Sequence, residues 1–138
     1  MPINVFFEIK TPASAEAAAL KKAAALGLGA HTRKRVNLVF TGGPGIKALN
    51  RRFLGKDRLT DVIAFNFPPT PAPGADWGEI YVCVPVAARQ AKALGHSVLA
   101  ELLVLTVHGA LHLAGMDDST PALRRAMNVE TVKILKGL

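Results

Sequence analysis

Short apolar stretches near the start of the chain and longer amphipathic ones towards its end predict four strands and five helices. At 35–40, Val36, Leu38 and Phe40 alternate with polar or smaller residues, which is the period of a half-buried strand. After residue 45, apolar residues recur three and four positions apart, as on one face of a helix. The predicted strands are 4–9, 35–40, 60–65 and 79–84, and the predicted helices are one from Ser14 to Gly27, one carrying Ile46, Leu49 and Phe53, and those over 86–94, 98–114 and 121–138.

Residues with special backbone preferences mark the ends of these elements. Ser14 is a typical N-cap for the first helix, Glu16 falls in its first turn, and Gly27 is able to end it. The Gly-Gly-Pro-Gly run at 42–45 predicts a turn, and the proline-rich residues 66–78 predict an exposed loop. Because strands come early and helices late, the pattern favours an α+β fold with one small sheet.

Length and composition predict a single domain spanning 1–138. Half of the 138 residues are apolar and a fifth are charged, which is a globular balance. One cysteine, Cys83, leaves no disulfide partner within the chain and fits a reducing compartment. The start lacks the features of a signal peptide, and the best apolar stretch is interrupted by Glu101 and two histidines. We therefore expect a soluble, cytoplasmic protein that does not engage a membrane.

The charge balance indicates a polyanionic partner. Seventeen Lys and Arg against ten Asp and Glu give a net charge of +7, which favours nucleic acid first and an anionic membrane surface second. A basic group follows Ile46, opposed there by Asp57 alone, and either tracks an RNA backbone or forms an ordinary solvated helix face. Its members are Lys47, Arg51, Arg52, Lys56 and Arg58. The chain has few aromatic residues, namely Trp77, Tyr81 and six Phe, so we expect recognition to rest more on backbone and shape than on base stacking.

A metal-ligand spacing lies in the fourth predicted helix. His108 and His112 are four residues apart, so they share a helix face with Cβ atoms about 5–6 Å apart. Gly115 is able to end the helix, and the three steps from it to Asp118 span roughly 10 Å, enough to bring a carboxylate back to the same ion. Two nitrogens, one oxygen and an open position are typical of catalytic zinc. The alternative is a chance pair of packed histidines.

Two neighbours of the histidines refine this interpretation. Glu101 lies two turns before His108 on nearly the same face, either as a solvated carboxylate near the helix start or as an acceptor for an imidazole N–H beside the metal. Gly109 occupies the position where the zinc-peptidase helix motif has its glutamate base. The sequence therefore disfavours a protease.

At these residues the chain resembles the YbeY family, bacterial endoribonucleases of ribosomal RNA maturation. Residues 108–118, HGALHLAGMDD, resemble the family motif His-Gly-x-Leu-His-Leu-x-Gly-Tyr-Asp-His. LNRRF at 49–53 and TDVIAF at 60–65 are similar to its Leu-Asn-x-x-Tyr and Thr-Asp-Val-Leu-Ser-Phe, and GEI at 78–80 looks like its Gly-Asp-Ile. The likeness covers nearly the whole chain.

The resemblance implies a mixed sheet packed with helices and one zinc ion per chain. The ligands it implies are His108, His112 and Asp118, the last in place of the family's usual histidine. Leu54 stands where the family has an arginine that is implicated in activity. The implied function is metal-dependent cleavage of single-stranded RNA in ribosomal RNA maturation and ribosome quality control.

Two other functions stay open at this stage. Leu54 favours a catalytically weakened factor that binds RNA or the ribosomal subunit and keeps the metal site. A metallohydrolase of peptides is the less favoured alternative, because of Gly109 and the net charge.

Overall fold

The structure is a computed structural model that describes residues 3–11, 15–56, 58–67 and 76–138. The strands are β1 (Ile3–Phe7), β2 (Val36–Thr41), β3 (Val62–Asn66) and β4 (Gly78–Cys83). The helices are α1 (Ala17–Leu28), α2 (Gly43–Leu54), α3 (Val84–Leu94), α4 (Val98–Leu113) and α5 (Pro121–Lys136), with a short 3-10 turn at Gly29–His31.

The four strands form one open sheet in the order β1-β2-β4-β3. β1 and β4 run parallel to β2, whereas β3 runs antiparallel to β4 and lies at the sheet edge. The prediction of an α+β fold with one small mixed sheet and five helices is therefore confirmed.

Helices cover both faces of the sheet. α1 and α4 pack against each other and against the face that carries Ile80 and Val82, which forms the main core. α2 packs on the opposite face through Ile46, which meets Ile63 and Cys83 in a smaller cluster. α5 contacts α1 and α4 and contributes the buried Met127. β3 consequently lies between α4 on one face of the sheet and α2 on the other.

Some predicted boundaries are wrong, for identifiable reasons. α1 ends at Gly29, which adopts a φ of 55°, rather than at Gly27. Gly27 lies inside the helix, where a Cβ would stand 2.7 Å from the Cβ of Ala110 on α4, so a glycine is needed there for the close approach of the two helices. The predicted turn at 42–45 is instead the start of α2, since a proline is tolerated in the first turn of a helix. Ser14 and most of the proline-rich loop lie outside the described residues.

Among the described residues, no single helix has both the length and the apolar character needed to cross a membrane. In the same described residues, α3 and α4 are the only pair of helices that together have this length and apolar character, and they are bent by 116° relative to each other. Cys83 is buried and unbridged.

Candidate functional site

α4 carries the two histidines of the predicted metal site. The helix begins after Ser97, whose side chain accepts a hydrogen bond from the backbone N–H of Ala100 at 3.0 Å. A Cβ on Gly109 would lie 2.5 Å from Cγ2 of Ile80 on β4, so only glycine allows this close approach of helix and sheet. The residues on either side of this contact are therefore held firmly against the β3–β4 side of the sheet.

His108 is half-buried, and this burial favours its neutral form by lowering its pKa. Burial is the largest influence on the pKa of His108 and lowers it, and the nearby His112 lowers it further. Three carboxylates raise the pKa; the strongest of these effects comes from Asp61, followed by Asp118 and Glu101. A neutral imidazole has a free lone pair on one ring nitrogen, which is the form that binds a metal ion. The local environment of His108 thus suits a ligand.

Asp118 lies beside His112, as the predicted ligand set requires. α4 ends at Leu113, and Gly115 turns the chain with a φ of 107°. The returning loop places Oδ2 of Asp118 3.5 Å from Nε2 of His112. The two side chains are 48% and 34% exposed, respectively, so this pair is open to a solvent-borne substrate.

The donor set can be compared with what zinc requires. Within residues 3–11, 15–56, 58–67 and 76–138, no group of three His, Cys, Asp or Glu side chains already has a metal-holding arrangement. Two ligand atoms, each about 2.0–2.1 Å from one tetrahedral zinc ion, are separated by about 3.3 Å. The His112–Asp118 separation of 3.5 Å is close to that value, with His108 one helical turn away. The donors therefore fit zinc in type, and two of them also in spacing.

A cavity of about 290 Å³ opens beside His112. Leu54, the last residue of α2, forms part of its wall together with the edge strand β3. The complete lining within the described part of the chain is Leu54, Val62, Ile63, Ala64, Asn66, His112 and Leu113. Five of the seven lining residues of this cavity, named here the histidine cavity, are apolar, and none is a lysine or an arginine.

The basic candidates lie around the C-terminal end of α2. Arg51, Arg52, Lys56 and Arg58 are all exposed, as is Lys47 one turn earlier. The buried Asn50 side chain donates to the carbonyl oxygen of Arg58 at 3.0 Å, which holds the chain after α2 against the helix end. These cations precede and follow Leu54 in the sequence, and Leu54 lines the histidine cavity. Asp57 lies outside the described residues.

The structure contradicts one of the two interpretations of Glu101. The residue is only 4% exposed, so the solvated carboxylate is wrong. Its Oε2 lies 3.2 Å from Nε2 of His96, in the turn that precedes α4. A supporting role beside the metal ligands stays a prediction, although the charge of Glu101 does act on the pKa of His108.

Asp61 is the neighbour of the site that sequence reasoning missed. Among the carboxylates, it has the largest influence on the pKa of His108. Its own oxygens accept hydrogen bonds from the backbone N–H of Val62 at 2.8 Å and from Gln90 at 3.3 Å. The segment TDVIAF contained the signal, because it places a carboxylate immediately before an apolar strand, where it is able to reach another element.

Comparison with known proteins identifies the class to which this chain belongs. The family model described as "Endoribonuclease YbeY" matches residues 7–138. The chain therefore belongs to the YbeY endoribonuclease family, whose members are hydrolases acting on RNA.

Individual relatives agree with this family over most of their length. The Endoribonuclease YbeY of Elusimicrobium minutum is 47% identical over 140 residues, covering 98% of both chains. That of Moorella thermoacetica is 40% identical over 126 residues, covering 85% of this chain and 81% of the relative. Among solved structures, the solution structure of TM1509 from Thermotoga maritima superimposes with a TM-score of 0.64 at 26% identity, covering 98% of this chain and 90% of that one.

Proposed function

We propose that this chain is a metal-dependent endoribonuclease that cleaves single-stranded RNA and acts, in the cytoplasm, in the maturation and quality control of ribosomal RNA. One zinc ion per chain is held by His108, His112 and Asp118. The observation that carries the proposal is the 3.5 Å contact between Asp118 and His112, a residue that also lines the histidine cavity. Family membership supports RNA as the substrate class.

The chain's own groups have separate tasks in this mechanism. A bound zinc ion supplies Lewis acidity and a more acidic water near neutral pH. His108 is kept neutral and His112 is partly open, so both are available as nitrogen ligands. The exposed Arg52, Lys56 and Arg58 bind the phosphates that flank the cut and orient the strand. The resemblance to the YbeY family implies single-stranded RNA, so an unpaired segment is the expected substrate.

The metal proposal is tested by the metal content of protein purified without chelator or affinity tag. We expect about one zinc per chain, and we expect Asp118→Asn to bind zinc at least about tenfold more weakly, because one charged ligand is lost. Cleavage of a single-stranded RNA should fall with the zinc content. Absence of stoichiometric metal from the unsubstituted protein would refute the metal site.

Asp117→Asn is the matched control for this experiment. Asp117 is adjacent in sequence, but its two oxygens accept hydrogen bonds from the backbone N–H and the hydroxyl of Ser119, at 3.0 and 2.7 Å. We expect this variant to retain both zinc and cleavage. Equal zinc content in the Asp118 and Asp117 variants would remove Asp118 from the ligand set.

Leu54 favours a second candidate function, an RNA- or ribosome-associated factor that binds metal and RNA but cleaves weakly. The histidine cavity has Leu54 in its wall where the sequence resemblance expects an arginine. Single-turnover cleavage separates the two functions, because a binding factor would hold labelled RNA without cutting it at saturating protein. The peptidase alternative loses ground, since a glutamate at position 109 would collide with Ile80.

A further inference from the structure

A second cavity, of about 360 Å³, lies on the opposite side of β3 from α4. Its walls come from α2, from the end of β3 and from β4, and three of its side chains are phenylalanines. The lining residues are Leu49, Arg52, Phe53, Phe65, Asn66, Phe67, Glu79 and Tyr81. We call it the aromatic cavity. Its volume is within the range of small-molecule sites, so it has room for a planar ring system.

The rings of the aromatic cavity form a connected group. The centroids of Phe53 and Phe65 are 4.7 Å apart, and those of Phe65 and Tyr81 are 6.3 Å apart. The guanidinium carbon of Arg52 lies 5.1 Å from the centroid of Phe53. Phe53 nevertheless remains 51% exposed, which leaves a large part of the side chain uncovered by the protein. An aromatic surface with a neighbouring arginine is typical of sites that stack bases.

The polar side of the aromatic cavity is a fixed hydrogen-bonding surface. The two oxygens of Glu79 each accept one hydrogen bond at 2.9 Å, one from the Tyr81 hydroxyl and one from the Asn37 amide. Burial, followed by the hydrogen bond and the charge of Glu79, raises the pKa of Tyr81 to about 12, so this hydroxyl stays a donor. Because an ionised carboxylate accepts about four hydrogen bonds, Glu79 retains capacity for a donor on a ligand.

The charge distribution selects which part of a nucleotide enters the aromatic cavity. The carboxylate of Glu79 repels a phosphate but accepts from the N–H groups of a base. Arg52 lines the same cavity and carries the opposite charge, which suits the phosphate backbone. The complementary ligand is therefore a base inside the cavity with its backbone beside Arg52.

The two cavities are lined by residues that are adjacent in the chain, and they share one residue. Phe53 lines the aromatic cavity and Leu54, the next residue, lines the histidine cavity. Asn66, the last residue of the edge strand, lines both. An RNA strand that passes over the end of β3 therefore contacts both cavities with neighbouring nucleotides.

We propose that the aromatic cavity is a subsite for one unpaired base of the RNA strand that is cleaved at the histidine cavity. This inference rests on the proposed function and adds the element that recognises the substrate. Stacking on Phe53 requires a base that is free of its pairing partner, so the subsite gives a physical reason for preferring single strands. It adds a stacking contact to the expectation from composition that recognition rests more on backbone and shape than on base stacking: the aromatics are few, but the fold gathers four of them around one cavity.

The test measures the affinity of the complete protein for a fluorescently labelled single-stranded RNA, whose integrity is checked on a gel afterwards. A second set of the same RNA carries one abasic ribose at successive positions. We expect one abasic position to weaken binding clearly, and Phe53→Ala to weaken binding of the intact RNA by about 5- to 150-fold. In Phe53→Ala the sensitive abasic position should have no further effect, because base and ring act as one interaction.

Phe6→Ala is the matched control. Phe6 is a phenylalanine of similar exposure, 49%, on β1 at the opposite edge of the sheet. This variant should bind intact RNA as the unsubstituted protein does and keep the abasic effect. Phe67→Ala, which alters the same aromatic cavity at another position, should reproduce the result of Phe53→Ala and guards against a local folding defect.

The outcomes separate this inference from the proposed function. If the unsubstituted protein neither binds nor cleaves single-stranded RNA, the proposed function fails and the subsite fails with it. If it binds and cleaves RNA, but the abasic scan is flat or Phe53→Ala equals Phe6→Ala, only the subsite is overturned. A sensitive abasic position that persists unchanged in Phe53→Ala would overturn it as well, since that base would lie elsewhere.

Discussion

Leu54 is the residue of the histidine cavity at which the sequence resemblance expects an arginine. It ends α2 and is 53% exposed, yet it also lines the histidine cavity. Cleavage of a phosphodiester builds up negative charge on the oxygens around the reacting phosphorus, and a cation placed beside them stabilises that charge. The exposed cations before and after Leu54 are close in sequence, but none of them lines this cavity among the described residues.

Leu54→Arg is expected to raise the rate of RNA cleavage by about 10²-fold, because it places a permanent cation beside the reacting phosphate. Single-turnover cleavage of a labelled single strand measures the effect. Leu94→Arg adds the same charge at the end of α3, at a residue that is 68% exposed and outside the histidine cavity. Equal rates for the two variants would show that position 54 has no special role in cleavage.

At the scale of elements, the contact between α4 and β4 fixes the position of the histidines. Gly109 permits that contact, and the histidines before and after it belong to the same rigid helix. The loop after α4 then needs only Gly115 and three further residues to return Asp118 to His112. A shift of α4 away from the sheet would therefore move two candidate ligands together.

Gly109→Ala is expected to lower the free energy of unfolding by about 1–3 kcal/mol, because the added methyl group overpacks the contact with Ile80. Urea unfolding monitored by circular dichroism measures this change. In Gly137→Ala the Cβ would meet its nearest atom at 3.4 Å, so this control should stay within about 0.5 kcal/mol of the unsubstituted protein. Combining Gly109→Ala with Ile80→Ala should cost less than the sum of the two changes, and strict additivity would contradict the overpacking.

At the scale of the whole molecule, the net charge of +7 attracts a polyanion over long distances. Burying the apolar face of α2 against the sheet leaves basic side chains of that helix in solvent. They are joined there by Lys56 and Arg58 from the following loop. An RNA strand that approaches either cavity therefore meets positively charged side chains first.

The affinity for single-stranded RNA should fall with salt, with a slope of log K against log salt of roughly −3 to −4 if about five phosphates are neutralised. Arg58→Gln should make that slope shallower by about 0.7, whereas Lys136→Gln at the end of α5 should leave it unchanged. A slope near zero for the unsubstituted protein would show that its basic side chains do not bind the RNA phosphates, contrary to the proposed function.

The sequence by itself determined where the helices and strands lie and that they include one small sheet, and its motifs resembled the YbeY family, which implied that the sheet is mixed. The positions of the elements depend on local periodicity, and the resemblance depends on motif spacing, both of which are properties of neighbouring residues. It also determined that His108 and His112 share one helix face, because four residues make about one turn.

Only the tertiary structure decided which distant side chains meet. Gly27 was a candidate helix end until its contact with Ala110 showed why a glycine is needed there, and the burial of Glu101 beside His96 excluded one of the two interpretations of that carboxylate. The aromatic cavity combines residues from α2, β3 and β4 that are up to 32 positions apart in the chain. No periodicity encodes such a meeting, because it depends on how the helices and the sheet pack against one another.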